Sequence, residues 1–416
     1  MQVTALGAIL GLAIAIFLIL KKVQPAYGLI IGALLGGLIG GAGLTDTVGL
    51  MIAGAKNIMP AVIRILTAGI LAGVLIESGA AAKIAETIIE KIGESKALLA
   101  LIIAACVLTA VGVFIDVAVI TVSPVALAIA QRTGMSKSSV LLAMIGGGKA
   151  GNIMSPNPNT IAAAETFKVD LSSVMAAGIV PAIFGLIVTF ILAKSLINKG
   201  EKVKVEELSV LKEDKPNFFG AIIGPLVTIL LLSLRPMVGI KVDPLLALPI
   251  GGIVGSLAMG KIKNINQYAT IGLSKMSGVA ILLIGTGTIA GIISNSALKD
   301  VIISGLTSTA LPAFLLAPIS GILMSAATAS TTAGTAVASS VFGSTVLGLG
   351  VAPLSGAAMI HSGATVLDHL PHGSFFHATG GSVYLDIKSR LKVVPFESLV
   401  GLTLAFVSTV IYGVIF

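Results

Sequence analysis

The histidines of this chain are confined to one short stretch, from His361 to His377, which also contains Asp368. Apolar runs long enough to cross a bilayer stand on both sides of it. Ionisable groups at membrane depth are costly, so they usually face a cavity and mark the path of an ion, a proton or a substrate. Because histidine titrates near neutral pH, the stretch predicts proton chemistry. The candidate proton carriers in it are His361, Asp368, His369 and His372.

A second polar stretch, SPNPNT at residues 155–160, interrupts another apolar run. Its prolines, and the glycines that precede it, break a helix and free backbone groups at membrane depth. The N-terminus of a half-helix carries partial positive charge and favours anions. A kink that only packs against neighbouring helices is the alternative interpretation. The predicted substrate-binding residues here are Asn152, Ser155, Asn157, Asn159 and Thr160.

A third polar stretch, rich in serine and threonine, occupies residues 328–335. Its hydroxyl groups are suited to bind the hydroxyl or carboxylate groups of a substrate. Small residues with hydroxyls also simply hold membrane helices together, and that alternative stays open. The predicted substrate contacts are Ser330, Thr331, Thr332 and Thr335, with Ser362 from the histidine stretch.

Two other ionisable residues are predicted at membrane depth. Asp116 is a further candidate proton site, and Lys149 is a candidate charge partner for a substrate carboxylate, for Asp116 or for Asp368. An unpaired lysine at this depth would lose its proton. Asp368, His369 and His372 could also supply metal ligands, but the chain has no second cluster of such ligands. We therefore expect no metal site and no cofactor.

The composition restricts the class of protein. Of the 416 residues, 56% are hydrophobic and 11% are charged, and the mean hydropathy is +1.08. Soluble domains contain about 25% charged residues. The apolar runs are continuous and lack the period-two alternation of a β-barrel. The single cysteine, Cys106, excludes a disulfide within the chain. We therefore predict an all-α polytopic membrane protein.

Apolar runs of spanning length occur along the whole chain. Two further stretches, 97–131 and 311–347, are too long for one helix and carry polar residues at their centres. We predict that each forms a re-entrant hairpin, because two full crossings would need roughly 40 residues and a turn. The predicted spans are 3–20, 24–44, 57–78, 138–164, 172–197, 217–234, 244–260, 277–298, 350–378 and 394–416.

The order of these segments repeats along the chain. Gly69-Ile-Leu-Ala-Gly73 corresponds to Gly287-Thr-Ile-Ala-Gly291, and residues 143–159 correspond without a gap to residues 358–374. Each half then holds about five crossings and one hairpin, and an odd number of crossings inverts the second half. This is the inverted-repeat plan of many secondary transporters, with broken helices meeting at the midplane. We predict a first repeat at 1–198, a cytoplasmic linker at 199–216 and a second repeat at 217–416.

The distribution of positive charge predicts the orientation in the membrane. With the linker in the cytoplasm, 19 of the 26 Lys and Arg residues lie inside and 6 lie outside. Such a cytoplasmic excess is what orients membrane helices. Both termini are then predicted on the extracytoplasmic side. The net charge of +8 reflects this topology, so we expect a lipid bilayer around the protein and no nucleic-acid partner.

The SPNPNT motif, LDHLPHGSFF at 367–376, FIDVAV at 114–119 and the twofold plan resemble the gluconate permease family, gluconate:proton symporters of the ion transporter superfamily. The resemblance covers essentially the whole chain. It implies a bacterial inner-membrane carrier of gluconate, of related hydroxy acids such as 3-hydroxybutyrate, or of D-serine, and it implies a homodimer. It also implies a substrate site between the hairpin tips and the broken helices. In this sequence those parts are Asp116, residues 152–160, Ser330–Thr335 and residues 361–372.

Proton-coupled symport of a small organic hydroxycarboxylate is the favoured hypothesis. Sodium-coupled transport of a carboxylate or a D-serine-like amino acid is the alternative, because unwound carbonyls and side-chain oxygens near half-helix ends suit a hard cation. A channel would need a continuous polar lining, whereas the polar residues here are concentrated at one depth. The chain has no HExxH or GxSxG motif, which disfavours an intramembrane enzyme.

Overall fold

The computed structural model describes residues 3–208, 215–298, 300–301, 304 and 312–416, so residues 209–214 of the predicted linker lie outside the described part. The described residues form helices joined by short turns, and no β-strand occurs among them. The predicted all-α class is therefore confirmed.

The helices of the first half begin near the N-terminus with an antiparallel pair and end before the linker. They are α1 Ala5–Leu20, α2 Pro25–Ile39, α3 Leu44–Glu77, α4 Ala80–Ile92, α5 Ala97–Ala110, α6 Ile115–Thr133, α7 Lys137–Asn152, α8 Pro158–Phe167, α9 Leu171–Ala177 and α10 Ile179–Leu196.

The described helices of the second half also include long, paired and interrupted segments. They are α11 Phe218–Val238, α12 Pro244–Ala258, α13 Ile265–Ser294, α14 Leu316–Thr328, α15 Thr331–Gly348, α16 Pro353–Gly363, α17 Ser374–Ser382, α18 Ile387–Leu391 and α19 Val394–Thr409, with a π-helical end at Val410–Ile415.

Several helical segments have the length and composition of membrane spans. Within the described residues five qualify alone: Leu44–Glu77, Ile115–Thr133, Leu171–Leu196, Ile262–Ser294 and Ile387–Ile415. The pair Ala80–Ile92 and Glu94–Ala110 qualifies as one span bent by 97°. The helices α3 and α13 start earlier than the predicted spans at 57 and 277, because a helix satisfies its own backbone hydrogen bonds and continues beyond the bilayer.

Two helical hairpins occupy the stretches that were predicted to fold back. The first arms, α5 and α14, have 14 and 13 residues, fewer than the about 20 that cross a bilayer. Gly112, with a φ of +106°, lies in the turn between α5 and α6, and Ala329, with a φ of +46°, begins the turn between α14 and α15. The left-handed conformation is strained for an alanine, and its place at a hairpin tip makes that tip a candidate site.

The long helices α3 and α13 pack against each other through glycines. A Cβ atom on Gly272 would lie 1.8 Å from the carbonyl oxygen of Gly69, and one on Gly54 would lie 2.1 Å from that of Gly287. Such close backbone approach is typical of membrane helices, where small residues replace the hydrophobic effect as the basis of association. The spacing from Gly54 to Gly69 on α3 equals that from Gly272 to Gly287 on α13, as two equivalent helices of a repeat would require.

An ion cluster ties α8 to α3 and to the start of α12. Arg64 on α3 donates two hydrogen bonds to Asp243, at 2.8 and 2.7 Å, and its Nη1 lies 2.6 Å from Glu165 Oε1 on α8. The hydrogen bonds from Arg64 hold the pKa of Asp243 below its ordinary value. Asp243 also caps α12 by accepting from the Leu245 amide. The cluster fixes the far end of the interrupted segment α7–α8.

A matched pair of glycines on α13 tests the packing of α3 against α13. Gly272→Ala places a methyl group against the backbone of Gly69, and overpacking of this kind costs about 1–3 kcal/mol. Gly278 has no atom within 4 Å of a built Cβ, so Gly278→Ala gains up to about 1 kcal/mol of helix propensity. Thermal unfolding in detergent should show a lowered midpoint for Gly272→Ala alone. Equal midpoints would contradict the close packing.

Candidate functional site

A cavity of about 390 Å³ lies where the two hairpin tips meet the two interrupted helical segments. Its volume suits a small organic molecule. Residues from both halves of the chain line it: Phe114, Ile115, Asp116, Val117, Asn152, Asn159, Lys275, Val279, Ala329, Ser330, Thr331, Thr332, Asp368, Ser374 and Phe375. We refer to this space as the central cavity.

Four helices begin at the wall of the central cavity. Each of α6, α8, α15 and α17 contributes residues from its first turn or its N-cap to the lining. The first backbone amides of a helix lack partners within it and carry partial positive charge. Four such N-termini around one cavity favour an anion in it.

Asn157 holds the interruption between α7 and α8 in place. Its Nδ2 donates to the backbone oxygen and the Oδ1 of Asn152, at 2.8 and 2.6 Å. Its Oδ1 accepts from the backbone amides of Asn159 and Thr160 at the start of α8. One side chain thus satisfies both broken ends, which Pro156 and Pro158 prevent from joining as a continuous helix.

Two of the predicted residues on this segment reach the central cavity, namely Asn152 and Asn159. The Nδ2 atom of Asn152 is buried and has no hydrogen-bond partner, so it is available to an acceptor in the cavity. Ser155, Asn157 and Thr160 are buried outside the lining. Asn157 and Thr160 form hydrogen bonds with each other and with the backbone, so they stabilise the interruption between α7 and α8.

The tip of the second hairpin brings its predicted hydroxyl residues to the cavity. Ser330 caps α15 by accepting from the Ala333 amide, and Thr332 donates to Asn159 Oδ1 at 2.5 Å. This bond joins the hairpin tip to the start of α8. Thr331 also lines the cavity, whereas Thr335 lies one turn further along α15, outside the lining.

Lys149, Asp368 and His369 form a buried polar cluster directly behind the cavity wall. Lys149 Nζ donates to Asp368 Oδ1 at 2.5 Å and to the carbonyl oxygen of Thr365, and it lies 3.0 Å from His369 Nδ1. The other Asp368 oxygen accepts from Thr331 at 2.5 Å. The predicted charge partner Lys149 therefore contacts two predicted proton carriers, of which Asp368 reaches the cavity.

The cluster continues away from the cavity to residues that the sequence analysis did not identify. His369 Nε2 lies 3.0 Å from Ser398 Oγ, and His369 Nδ1 lies 3.9 Å from Glu397 Oε2. Glu397 is fully buried and paired with Arg390, which also stacks on the ring of Phe376. Glu397 falls inside the predicted span 394–416, so the cost of a charge at that depth was an available signal.

Asp116 and Lys275 line the same cavity from different helices. Asp116 Oδ1 accepts from the Val117 amide in the first turn of α6, and no ion pair joins Asp116 to another described residue. Lys275, on α13, is exposed. Lys275 lies just before the predicted span 277–298, so it is one of the 19 basic residues predicted on the cytoplasmic side.

The other predicted residues lie away from the central cavity. His361 and Ser362 face a void of about 10 Å³, and Ser362 donates to the Ala358 carbonyl. His372 is exposed, with Nε2 at 3.3 Å from the Ala327 carbonyl oxygen. Among the described residues, no group of three His, Cys, Asp or Glu side chains could hold a metal ion.

Three known proteins resemble the chain in sequence. A protein named as an uncharacterized transporter of Haemophilus influenzae (strain ATCC 51907 / DSM 11121 / KW20 / Rd) is 67% identical over 413 residues, 99% of either chain. An uncharacterized permease of the same strain is 26% identical over 202 residues, which cover 48% of this chain and 41% of that permease. The inner membrane permease YgbN of Escherichia coli (strain K12) is 28% identical over 208 residues, covering 49% and 46%.

A solved structure shares the fold. The YdaH transporter of Alcanivorax borkumensis superposes on this chain with a TM-score of 0.67 at 15% sequence identity. The superposition covers 89% of this chain and 88% of that one, and the crystal structure of YdaH is described as revealing an unusual topology. The sequence relatives are permeases and transporters, not enzymes, and the apolar helices make the chain a multi-pass membrane protein. Because the profile described as GntP family permease matches residues 3–415, the chain belongs to the GntP permease family.

Proposed function

We propose that this permease is a secondary active transporter that carries a small hydroxycarboxylate, such as gluconate or a short hydroxy acid, together with a proton across the bacterial inner membrane. The observation that carries the proposal is the convergence of four helix N-termini on one cavity that also contains the unpartnered amide of Asn152. The central cavity is the proposed substrate site.

The donors around the cavity match the chemistry of a hydroxycarboxylate. The partial positive charge of the helix N-termini favours a carboxylate, and the free Nδ2 of Asn152 can donate a charge-assisted hydrogen bond to it, which is the strong kind. The hydroxyls of Ser330 and Thr332 lie in the same wall and suit the hydroxyl groups of the substrate. Lys275 adds a positive charge at the exposed side of the cavity.

The carboxylates of the site supply the reason for proton coupling. Lys149 neutralises Asp368, whose oxygens are already occupied by Lys149, His369 and Thr331. Asp116 faces the cavity without an ion pair to a described residue, so a substrate carboxylate beside it is repelled unless Asp116 takes up a proton. Anion binding and proton binding then favour each other by linkage.

Sodium is the less favoured coupling ion. A hard cation needs several free oxygen ligands, and the carboxylate oxygens of Asp368 are engaged with donors. This leaves Asp116 as the cavity-lining carboxylate with a free oxygen among the described residues. A proton needs one such group, whereas a sodium ion needs more.

Both halves of the chain contribute to the proposed site. Asp116, Asn152 and Asn159 come from the first half, and Thr331 and Asp368 come from the second. A site shared in this way supports the predicted repeats at 1–198 and 217–416, since transporters with inverted repeats bind substrate where the repeats meet.

Asn152→Asp tests the anion site. The substitution keeps the oxygen that accepts from Asn157 and replaces the free donor with a carboxylate oxygen. Because a hydrogen bond to a charged group is worth about 1.5–3 kcal/mol, the affinity for D-gluconate or 3-hydroxybutyrate should fall by about 10- to 100-fold or more. Titration calorimetry of the purified protein measures this. Ser155→Ala, a buried neighbour outside the lining, is the matched control and should bind normally.

Asp116→Asn tests the proton site. The variant keeps a side-chain oxygen to cap α6 but carries no titratable group. In proteoliposomes with an imposed proton gradient and no sodium, it should lose uphill accumulation of labelled 3-hydroxybutyrate and keep substrate exchange. His372→Ala, outside the cavity, should accumulate substrate as the unmodified protein does. Gradient-driven accumulation by Asp116→Asn would remove Asp116 from the coupling step.

Lys149→Met tests the neutralisation of Asp368. Removing one partner of a buried ion pair costs about 3–5 kcal/mol, because the remaining charge is left without compensation. The thermal unfolding midpoint should drop markedly in the single variant. Lys149→Met with Asp368→Asn removes both charges and should recover much of the loss. A double variant no more stable than the single one would show that the pair is not the source of the effect.

A further inference from the structure

A second cavity, of about 340 Å³, lies at the other end of the helices that wall the central cavity. It is bounded by α3, α8, α13 and α15, and it includes Asn57, Glu165, Lys168, Ser294 and Ser340. We refer to it as the rear cavity. The proposed substrate site shares no lining residue with this space.

Three helices run from one cavity to the other. On α13 the lining passes from Val279 in the central cavity to Gly287 in the rear cavity, and on α15 it passes from Thr332 to Ser340. Each step is eight residues, about 12 Å along a helix. On α8 the lining passes from Asn159 to Glu165. The two cavities are therefore successive spaces along one interface.

The hydroxyl groups on α15 between the cavities lack hydrogen-bond partners. The Oγ atoms of Thr335, Ser339 and Ser340 are buried and bond to nothing in the described structure. Elsewhere in this chain, hydroxyls inside helices usually donate to a carbonyl one turn back, as Thr189 and Thr286 do. In the described residues, α15 is the helix with three such free hydroxyls.

Thr335 and Ser339 share one side of α15 with Thr332. At 100° per residue, Ser339 points within about 20° of Thr332 and Thr335 lies about 60° from it, whereas Ser340 lies about 80° away on the other flank. Thr332 lines the central cavity and Ser340, next to Ser339 in sequence, lines the rear cavity, so Thr335 and Ser339 lie along α15 between the two. Buried hydroxyls without partners cost free energy in the resting protein, which favours a transient ligand for them.

Mostly small side chains lie along these helices between the cavity linings. Ala162 and Ala163 on α8 and Ala336 on α15 are buried at 0–1% exposure, and Leu283 on α13 is the one large side chain among them. An alanine side chain makes few van der Waals contacts, so separating alanine-lined surfaces forfeits less attraction than separating interlocked large side chains. The interface is closed in this structure, and its alanines lower the cost of opening it.

We propose that the rear cavity is a second subsite for the transported hydroxycarboxylate, and that Thr335 and Ser339 form the polar track that carries it between the two cavities. The inference rests on the proposed function. Lys168, which lines the rear cavity, supplies a positive charge for the substrate carboxylate. Under the predicted topology the rear cavity faces the extracytoplasmic side.

Removing the hydroxyls of Thr335 and Ser339 tests movement of substrate between the cavities separately from binding at the central cavity. Thr335→Val and Ser339→Ala delete unpartnered hydroxyls, so neither should lower thermal stability. Each should reduce the maximal rate of 3-hydroxybutyrate uptake at least tenfold, and calorimetric affinity at the central cavity should stay within about twofold. Ser408→Ala deletes an unpartnered buried hydroxyl on α19, away from both cavities, and should transport normally.

Thiol labelling tests access to the rear cavity without relying on transport rates. In a Cys106→Ala background, which contains no other cysteine, Ser340→Cys should react with a membrane-impermeant thiol reagent added from the extracytoplasmic side. D-gluconate or 3-hydroxybutyrate should slow this reaction. Ser344→Cys, exposed one turn further along α15, should react without protection.

The outcomes distinguish this inference from the proposed function. Normal uptake by Thr335→Val and Ser339→Ala overturns the track, and labelling of Ser340→Cys that substrate does not slow overturns the rear subsite. In either case, calorimetric binding at the central cavity leaves the proposed function standing. Failure of the unmodified protein to bind any hydroxycarboxylate overturns the proposed function itself. Slow uptake with intact binding and substrate protection of Ser340→Cys supports the track.

Discussion

The structure depends on how it satisfies the ends of helices that stop inside an apolar protein. Water is scarce at membrane depth, so each broken end needs a partner from a side chain or a ligand. Asn157 supplies that partner for both ends of the α7–α8 interruption, and Ser330 supplies it for the start of α15. These helix starts lie at the wall of the central cavity, so the same constraint that shapes the fold also gathers partial positive charge around one anion site.

Charge balance follows from the same scarcity of water. Lys149 with Asp368, and Arg390 with Glu397, place two cations against two anions in fully buried positions. His369 lies between these pairs. A single added charge beside such a buried assembly is costly. Binding of a substrate anion therefore favours binding of a proton, and the reverse, as the proposed symport requires.

The long helices α3 and α13 provide the frame against which the site is assembled. Their glycine contacts bring the backbones together without interlocking side chains, and the Arg64 cluster attaches the end of α8 to α3. Lys275 and Val279 on α13 complete the wall of the central cavity, and Gly287 borders the rear cavity. The frame therefore contacts every space that the proposed transport path uses.

The sequence determined the helical membrane class, the two hairpins, the interrupted segments and most of the polar residues that line the central cavity, because hydropathy, proline and glycine act locally and can be read residue by residue. It also marked Asp368 and His369 through the cost of charge in apolar surroundings. Only the tertiary structure decided which polar groups meet. It turned Ser155 and Thr160 away from the cavity, separated His361 and His372 from it, brought Lys275 to its wall, and placed Arg390 and Glu397 in the buried cluster behind it, because such contacts depend on packing that no local pattern encodes.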